Sequence, residues 1–277
     1  MPLGVYTDDE RKLQAKAQAA VRAAEYVEED EQDDQGEEES MHRPWRHRIY
    51  NAIIGLSFLP FAWVLTVALW HTFGAAKGKG PPFYKTHEFV SLIGGCLGWM
   101  VLFFTGIFLR GTPLFLRLYV IGHEFMHAWL AGFFFKGRIK DFQTGRDGGY
   151  IITDKYNFII ALAPYLWPIY CIPVLAAWGV AGWFPWGLEY AGSFFGALGF
   201  TWMYHLSFTG WMLTKGQSDL LGPGRIFSLV IIYTANVALL AAFVITMAAE
   251  FSWVGFGEEL WKAARAFYLT LAKLVGG

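Results

Sequence analysis

Apolar and polar positions are strongly segregated along the chain. The first 48 residues are polar, and six apolar segments follow, each about 20 residues or longer, as a helix needs to cross the hydrocarbon of a bilayer. Each should be helical, because lipid offers no partner to an unpaired backbone group. We therefore predict an all-α integral membrane protein with about six transmembrane helices. The predicted spans are residues 50–72, 88–109, 113–135, 157–183, 187–213 and 225–249.

The two ends of the chain differ from this middle part. We expect residues 1–48 to form a soluble tail, disordered by self-repulsion over the acidic run Glu28–Glu39. This tail has no apolar core of a cleavable signal peptide. Residues 251–277 place apolar side chains at helical spacing between charged ones, which indicates an amphipathic helix on the membrane surface or, alternatively, a helix that binds a partner. Residues 49–250 are then the polytopic membrane core.

Two interruptions of the apolar pattern predict local structure. Pro164, Pro168 and Pro173 should kink the fourth span, because proline removes a backbone donor and clashes with the preceding turn. Segment Gly137–Lys155 has two strand-like runs around a glycine-rich turn, which predicts a short hairpin after the third span. The edge of such a hairpin could hold an extended peptide by strand addition. An ordinary surface loop is the alternative.

Composition supports the membrane class and narrows the chemistry. Apolar residues make up 55% of the chain and charged residues 16%, so the net charge of -1 says little about binding partners. Nothing in this composition indicates binding to nucleic acid. Cys96 and Cys171 both lie inside apolar spans, which argues against a disulfide and against a cysteine-ligated zinc site.

The candidate chemistry lies in the third span, where His123–His127 form an HExxH motif. Residues i and i+4 share a helix face, so His123 and His127 can bind one ion, with Glu124 as general base on its bound water. In a soluble helix such residues are often a salt-bridged surface. Here three ionisable groups stand in an apolar span, where such groups are costly and usually functional. The sequence therefore predicts a zinc site that a polar cavity must reach.

A catalytic zinc site usually has three protein ligands, so one more is needed. Asp219 is the leading candidate, because it lies between the last two spans in a segment rich in glycine and proline. Such a segment predicts a broken or re-entrant backbone that can bring an acid inward. The alternative is a loop aspartate that caps the following helix.

His205, deep in the fifth span, is the rival to Asp219. An isolated histidine in a membrane helix is often only hydrogen-bonded to a neighbouring helix. It could instead be the third ligand, or a residue that supports the ligands or faces the substrate. The sequence leaves these roles open.

With these residues in view, the chain resembles the site-2 protease-like intramembrane zinc metalloproteases. The resemblance rests on Gly122–Ala128 in a membrane helix and on Asp219 ahead of the helix break at Gly222–Gly224. The segment with Gly148 and Gly149 is similar to the membrane-associated hairpin of that family. Together these features cover roughly residues 113 to 245.

The resemblance implies a ligand set and a reaction. It implies one zinc ion per chain held by His123, His127 and Asp219, and water activated by Glu124 to cleave a peptide bond within or beside a transmembrane segment. The family commonly has an Asn and a Pro upstream of an Asp-Gly pair, whereas Leu follows Asp219 here, which indicates a divergent branch. In the family, that Asn gives polar help to the substrate or the oxyanion, and the resemblance implies that Gln217 takes this role here.

We therefore expect a multi-pass protease of a bacterial inner membrane, acting on a membrane protein or membrane-associated peptide. The main alternative is a catalytically inactive metal-binding protein that binds membrane helices as a chaperone does. A di-metal oxygenase is disfavoured because the seven histidines do not form clustered pairs. A transporter is disfavoured because no internal repeat is visible.

Overall fold

The computed structural model describes residues 45–74, 81–145, 148–184, 187–215, 217–248 and 251–276. The chain divides into a unit of Met1–His47 and a unit of Arg48–Gly277, and the fold below is that of the second unit. Nearly all of the predicted acidic tail, residues 1–44, lies outside the described residues.

The described part of the chain is mainly helical. Its α-helices are α1 (Trp45–Ser57), α2 (Leu59–Gly74), α3 (His87–Arg110), α4 (Leu116–Trp129), α5 (Phe158–Leu166), α6 (Ile172–Ala181), α7 (Ala191–Leu213), α8 (Ser218–Leu221), α9 (Arg225–Met247) and α10 (Trp253–Gly276). A π-helical turn (Leu130–Phe134) continues α4, and the strands are β1 (Ile139–Thr144) and β2 (Gly149–Thr153).

Three helical stretches are, by length and composition, apolar enough to cross a membrane, in agreement with the predicted membrane class. They cover Ile49–Gly74, His87–Arg110 and Arg225–Met247. A fourth span results if Phe158–Leu166 and Ile169–Ala181 are counted as one, and the 49° bend between them confirms the kink predicted from the prolines. The structure thus supports three or four spans among the described residues, where six were predicted.

The two remaining predicted spans fall short for different reasons. The segment around the HExxH motif forms a helix of only 14 residues, α4, which buries polar side chains and then widens into the π-helical turn. Helix α7 is long enough, at 23 residues, but with Trp202, Tyr204 and His205 in its sequence it is not among the stretches that are apolar enough to cross a membrane. Those three side chains are buried within the protein, so they do not face lipid and need not be apolar.

The scaffold is centred on α3 and α7, which pack side by side with their backbones in close approach. A Cβ atom at Gly95 would clash with the carbonyl oxygen of Gly196, and one at Gly199 would clash with that of Leu92. Small residues are the usual means by which membrane helices come this close. The buried indole of Trp99 donates a 2.7 Å hydrogen bond to Ser207 Oγ across the same interface.

Strands β1 and β2 form an antiparallel hairpin directly after the metal-motif helix, as predicted. Phe142 pairs with Ile151 and Thr144 with Gly149, and an irregularity in register lies between Ile139 and Asp141. The hairpin packs against α4, so it covers the helix that carries His123–His127.

The predicted C-terminal helix is also present, as α10, and it packs along α2. Phe256 is buried in that contact, whereas Trp261 and Leu274 remain largely exposed. Glu259 and Lys262 form an exposed ion pair one turn apart. Its position on a membrane surface stays a prediction.

Candidate metal centre

Helix α4 presents His123 and His127 on one buried face, one turn apart. Both side chains are nearly inaccessible, at 4% and 7% exposure. The helix begins after Phe115, whose backbone is left-handed (φ 61°), and runs into the π-helical turn after Trp129. Single π-helical turns are rare and often accompany functional sites. Helix α4 thus holds both imidazoles inside the protein, on one side of the helix.

A proline fixes the orientation of His127. Pro164 lies inside α5 and has no N–H, so the carbonyl of Ile160, four residues earlier, lacks its usual helical donor. His127 Nδ1 lies 2.8 Å from that carbonyl oxygen. Because a carbonyl can only accept, Nδ1 must carry the hydrogen, and Nε2 keeps its lone pair for another partner. A hydrogen bond from the second ring nitrogen is the usual way in which a metal-binding histidine is oriented.

Asp219 completes a group of three with the two histidines. It lies in α8, a helix of only four residues between α7 and α9, and its side chain is 19% exposed. Its Oδ2 atom lies 3.3 Å from His123 Nε2 and 3.4 Å from His127 Nε2. The two Nε2 atoms are 3.3 Å apart. These three residues form a group that could hold a metal ion.

The nearly equal separations favour a metal site over a hydrogen-bonded cluster. Charge-assisted N–H···O bonds are typically about 2.7–2.9 Å long, shorter than either contact to Asp219 Oδ2. Ligand atoms placed tetrahedrally about 2.0–2.1 Å from a zinc ion are separated from each other by about 3.3–3.4 Å. The three sides of the group have that length.

The donor set also fits, with one departure from the usual pattern. Two imidazole nitrogens and one carboxylate oxygen are common zinc ligands. His123 Nδ1, however, is buried and has no hydrogen-bond partner among the described residues, whereas His127 Nδ1 has one. The His123 ring is instead enclosed by Tyr119 and Tyr165, with ring centroids 5.7 and 5.1 Å away.

Asp219 is kept ionised by its neighbours. Burial raises the pKa of this carboxyl group, whereas protons on the facing imidazoles of His127 and His123 lower the pKa far below its ordinary value; a bound cation would take the place of those protons. The residue lies in the segment between the apolar helices, and it supplies the negative charge of the group. A carboxylate facing two imidazoles attracts a cation to this point.

Glu124 lies beside the three-residue group and under the hairpin. Its side chain is 6% exposed, and its carboxylate interacts electrostatically with the imidazole of His127 and with Asp219. A Cβ atom at Gly149, the first residue of β2, would lie 2.7 Å from Glu124 Cγ. The absence of a side chain at Gly149 therefore makes room for Glu124 between α4 and the hairpin.

Tyr165 belongs to the site although the sequence analysis did not identify it. Its hydroxyl donates to Asp219 Oδ2 at 3.1 Å, and its ring stands edge-on to the His123 ring. The side chain is fully buried. The available sequence signal was a tyrosine between Pro164 and Pro168 in the kinked span, but only the fold shows that it faces Asp219.

His205 and Gln217 lie outside the three-residue group. His205 is buried, with Nε2 3.2 Å from the carbonyl oxygen of Tyr165, so it contacts the residue that supports Asp219 and not the group itself. Gln217 is half-buried just before α8, where its backbone carbonyl accepts from Leu220 N–H. A substrate-facing role for Gln217 stays a prediction.

Comparisons of the chain with protein-family models, with curated proteins and with solved structures find no match.

Proposed function

We propose that this protein is a zinc-dependent intramembrane endopeptidase, a divergent relative of the site-2 protease-like enzymes. The observation that carries the proposal is the convergence of His123, His127 and Asp219 at separations that suit one zinc ion, with Glu124 next to the first histidine. The helix that carries both histidines packs against α5, one half of the bent pair that could form a fourth span. A peptide bond within or beside a transmembrane segment is the substrate such a location favours.

Each residue of the site has a proposed role in hydrolysis. Zinc, when bound, acts as a Lewis acid and lowers the pKa of a bound water towards about 7. His123, His127 and Asp219 would hold the ion, and Glu124 would accept the proton of the attacking water and later pass it to the leaving amine. Glu124 is suited to this task because it is buried directly beside His123, next to the three-residue group.

The hairpin is the candidate element for presenting the substrate. A helical peptide bond is shielded by its own hydrogen bonds, so a substrate helix must unwind before cleavage. An unpaired edge of the β1–β2 hairpin could hold the unwound segment as an added strand, and the hairpin lies against Glu124 through Gly149. On this proposal the protein is a multi-pass protein of a bacterial inner membrane.

The contact between Gly149 and Glu124 also favours a second function. Because Gly149 packs directly on Glu124, the hairpin covers the proposed base in this conformation. A metal-binding protein that holds membrane helices without cleaving them would need no access to Glu124. The two functions differ in what they require of that carboxylate.

An experiment that distinguishes the two functions compares wild type with Glu124→Gln. Its substrates are fluorogenic single-span transmembrane peptides in detergent micelles. We expect Glu124→Gln to bind zinc as wild type does, but to lose cleavage by about 10²–10⁴-fold, the usual contribution of a general base. Glu88→Gln, in the first turn of α3, is the control and should retain cleavage. Full cleavage by Glu124→Gln would contradict the proposed mechanism, and zinc-loaded wild type that cleaves no peptide would favour the non-proteolytic function.

A further inference from the structure

Tyr165 contacts two of the three proposed ligands at once. Its hydroxyl donates to Asp219 Oδ2, the same oxygen that faces both imidazoles, and its ring lies against His123. A buried tyrosine hydroxyl needs an acceptor, and many core tyrosines find one in a backbone carbonyl. Here the acceptor is a carboxylate from a four-residue helix with little structure of its own. The contact therefore constrains a side chain that its own helix holds weakly.

The hydrogen bond has a direct consequence for ion binding. A carboxylate oxygen has two lone-pair positions. The Tyr165 hydroxyl occupies one on Oδ2, which leaves the other directed towards the two Nε2 atoms. Without the hydroxyl, the Asp219 carboxylate could rotate, and the convergence of the three ligand atoms would no longer be fixed before the ion arrives.

The position of Tyr165 is itself fixed from outside the metal group. Helix α5 ends at Leu166, ahead of Pro168, and the N–H of Ile169 bonds to the carbonyl of Trp167 instead of that of Tyr165. The Tyr165 carbonyl thus lacks a helical donor. It accepts instead from Asn236 Nδ2 at 2.9 Å and from His205 Nε2 at 3.2 Å.

These two donors come from helices that carry none of the proposed ligands. His205 lies on α7 and Asn236 on α9, and both are buried. A carbonyl can only accept, so His205 must hold its hydrogen on Nε2. The chain of contacts runs from α7 and α9 to the backbone of Tyr165, and through its hydroxyl to Asp219.

We propose that Tyr165 is a positioning residue that orients Asp219 for metal binding, and that His205 and Asn236 hold Tyr165 in place by binding its carbonyl. This inference rests on the proposed metal site. It assigns to His205 the role of support for the ligand set. It also predicts that metal affinity depends on residues that do not touch the ion.

The test is a titration of purified protein in detergent with Co²⁺, followed by the visible d–d absorption and by competition with Zn²⁺. Tyr165→Phe keeps the ring and removes the hydroxyl. We expect it to bind metal about 10–100-fold more weakly, the usual effect of removing a residue that orients a ligand, and to change the d–d spectrum. Tyr170→Phe is the matched control, because its hydroxyl bonds to the Leu118 carbonyl, and it should bind metal as wild type does.

The outcomes separate the inference from the proposed function. If wild type binds neither Co²⁺ nor Zn²⁺, the proposed zinc enzyme is wrong. If wild type binds metal and Tyr165→Phe binds it equally well with an unchanged spectrum, the positioning role is overturned and the metal site stands.

A second pair of variants covers the case in which Tyr165→Phe does not fold. His205→Gln keeps a donor for the Tyr165 carbonyl, whereas His205→Leu removes it. Metal affinity close to wild type in His205→Gln and clearly weaker in His205→Leu would support the chain of contacts. Equal affinities in the two variants would overturn it.

Discussion

In the α3–α7 pair, two unbroken helices of 24 and 23 residues approach each other through glycine backbones, whereas the candidate metal site is assembled from short or interrupted helices. Helix α4 has 14 residues and ends in a π-helical turn, α5 has nine with a proline inside, and α8 has four. In the α3–α7 pair, glycines leave room for the two helix backbones to meet. At the candidate metal site, breaks in the helices leave backbone carbonyls free to accept hydrogen bonds from side chains.

This difference shows what each kind of helix can contribute. In an unbroken helix nearly every backbone group is used internally, so it offers neighbours only its side chains and its shape. The breaks around Pro164 and Pro168 release the carbonyls of Ile160 and Tyr165, which then bind His127 and His205. In a region that lipid surrounds, such released groups must find partners inside the protein. The proposed ligand His127 is the partner of the Ile160 carbonyl, and His205 and Asn236 are the partners of the Tyr165 carbonyl.

The largest effect on the scaffold should come from Gly199→Ala. The new methyl group would clash with the Leu92 carbonyl, a backbone atom that cannot move alone, and overpacking of this kind costs about 1–3 kcal/mol. The measurement is the free energy of unfolding in mixed micelles of mild detergent and SDS. Gly210→Ala on the same helix, where nothing lies within 4 Å of the added atom, is the control.

The two glycine variants should change the free energy of unfolding in opposite directions. Gly210→Ala should be neutral or stabilising by up to about 1 kcal/mol, since alanine is the better helix former. An equally small effect of Gly199→Ala would show that the α3–α7 backbones are not held in close approach.

A smaller effect, confined to the site, is expected from Gly149→Ala. The new Cβ atom would lie 2.7 Å from Glu124 Cγ and 2.6 Å from the Gln143 carbonyl oxygen, so the proposed base or the hairpin must shift. We expect cleavage to fall roughly 10–100-fold, as displacements of up to about 1 Å can cause, with zinc content unchanged. Gly148→Ala, with nothing within 4 Å of the added atom, should cleave as wild type does. Equal activity of the two variants would remove the link between hairpin and base.

The sequence predicted those parts of the site that depend on local spacing. The shared face of His123 and His127 follows from helical periodicity, and the hairpin follows from two apolar runs around glycines. Asp219 was a candidate because the glycine and proline around it predicted a break, and the structure brings it to the two histidines.

The features that the sequence did not predict depend on contacts between distant segments. Tyr165 and Asp219 are 54 positions apart, and Asn236 is 71 positions from Tyr165. The number of spans was overestimated because the sequence does not show where α4 ends or which polar side chains α7 buries in the protein. Helix α7 shows this, with His205 and Trp202 both turned inward.

Whether His123, His127 and Asp219 form one zinc site is decided by the zinc content of detergent-purified protein. Wild type and Asp219→Ala would be loaded with zinc, freed of excess metal, and measured side by side. We expect one zinc ion per wild-type chain, set by the single three-residue group among the described residues, and a clear loss in the variant. Equal zinc content in the two proteins would contradict it.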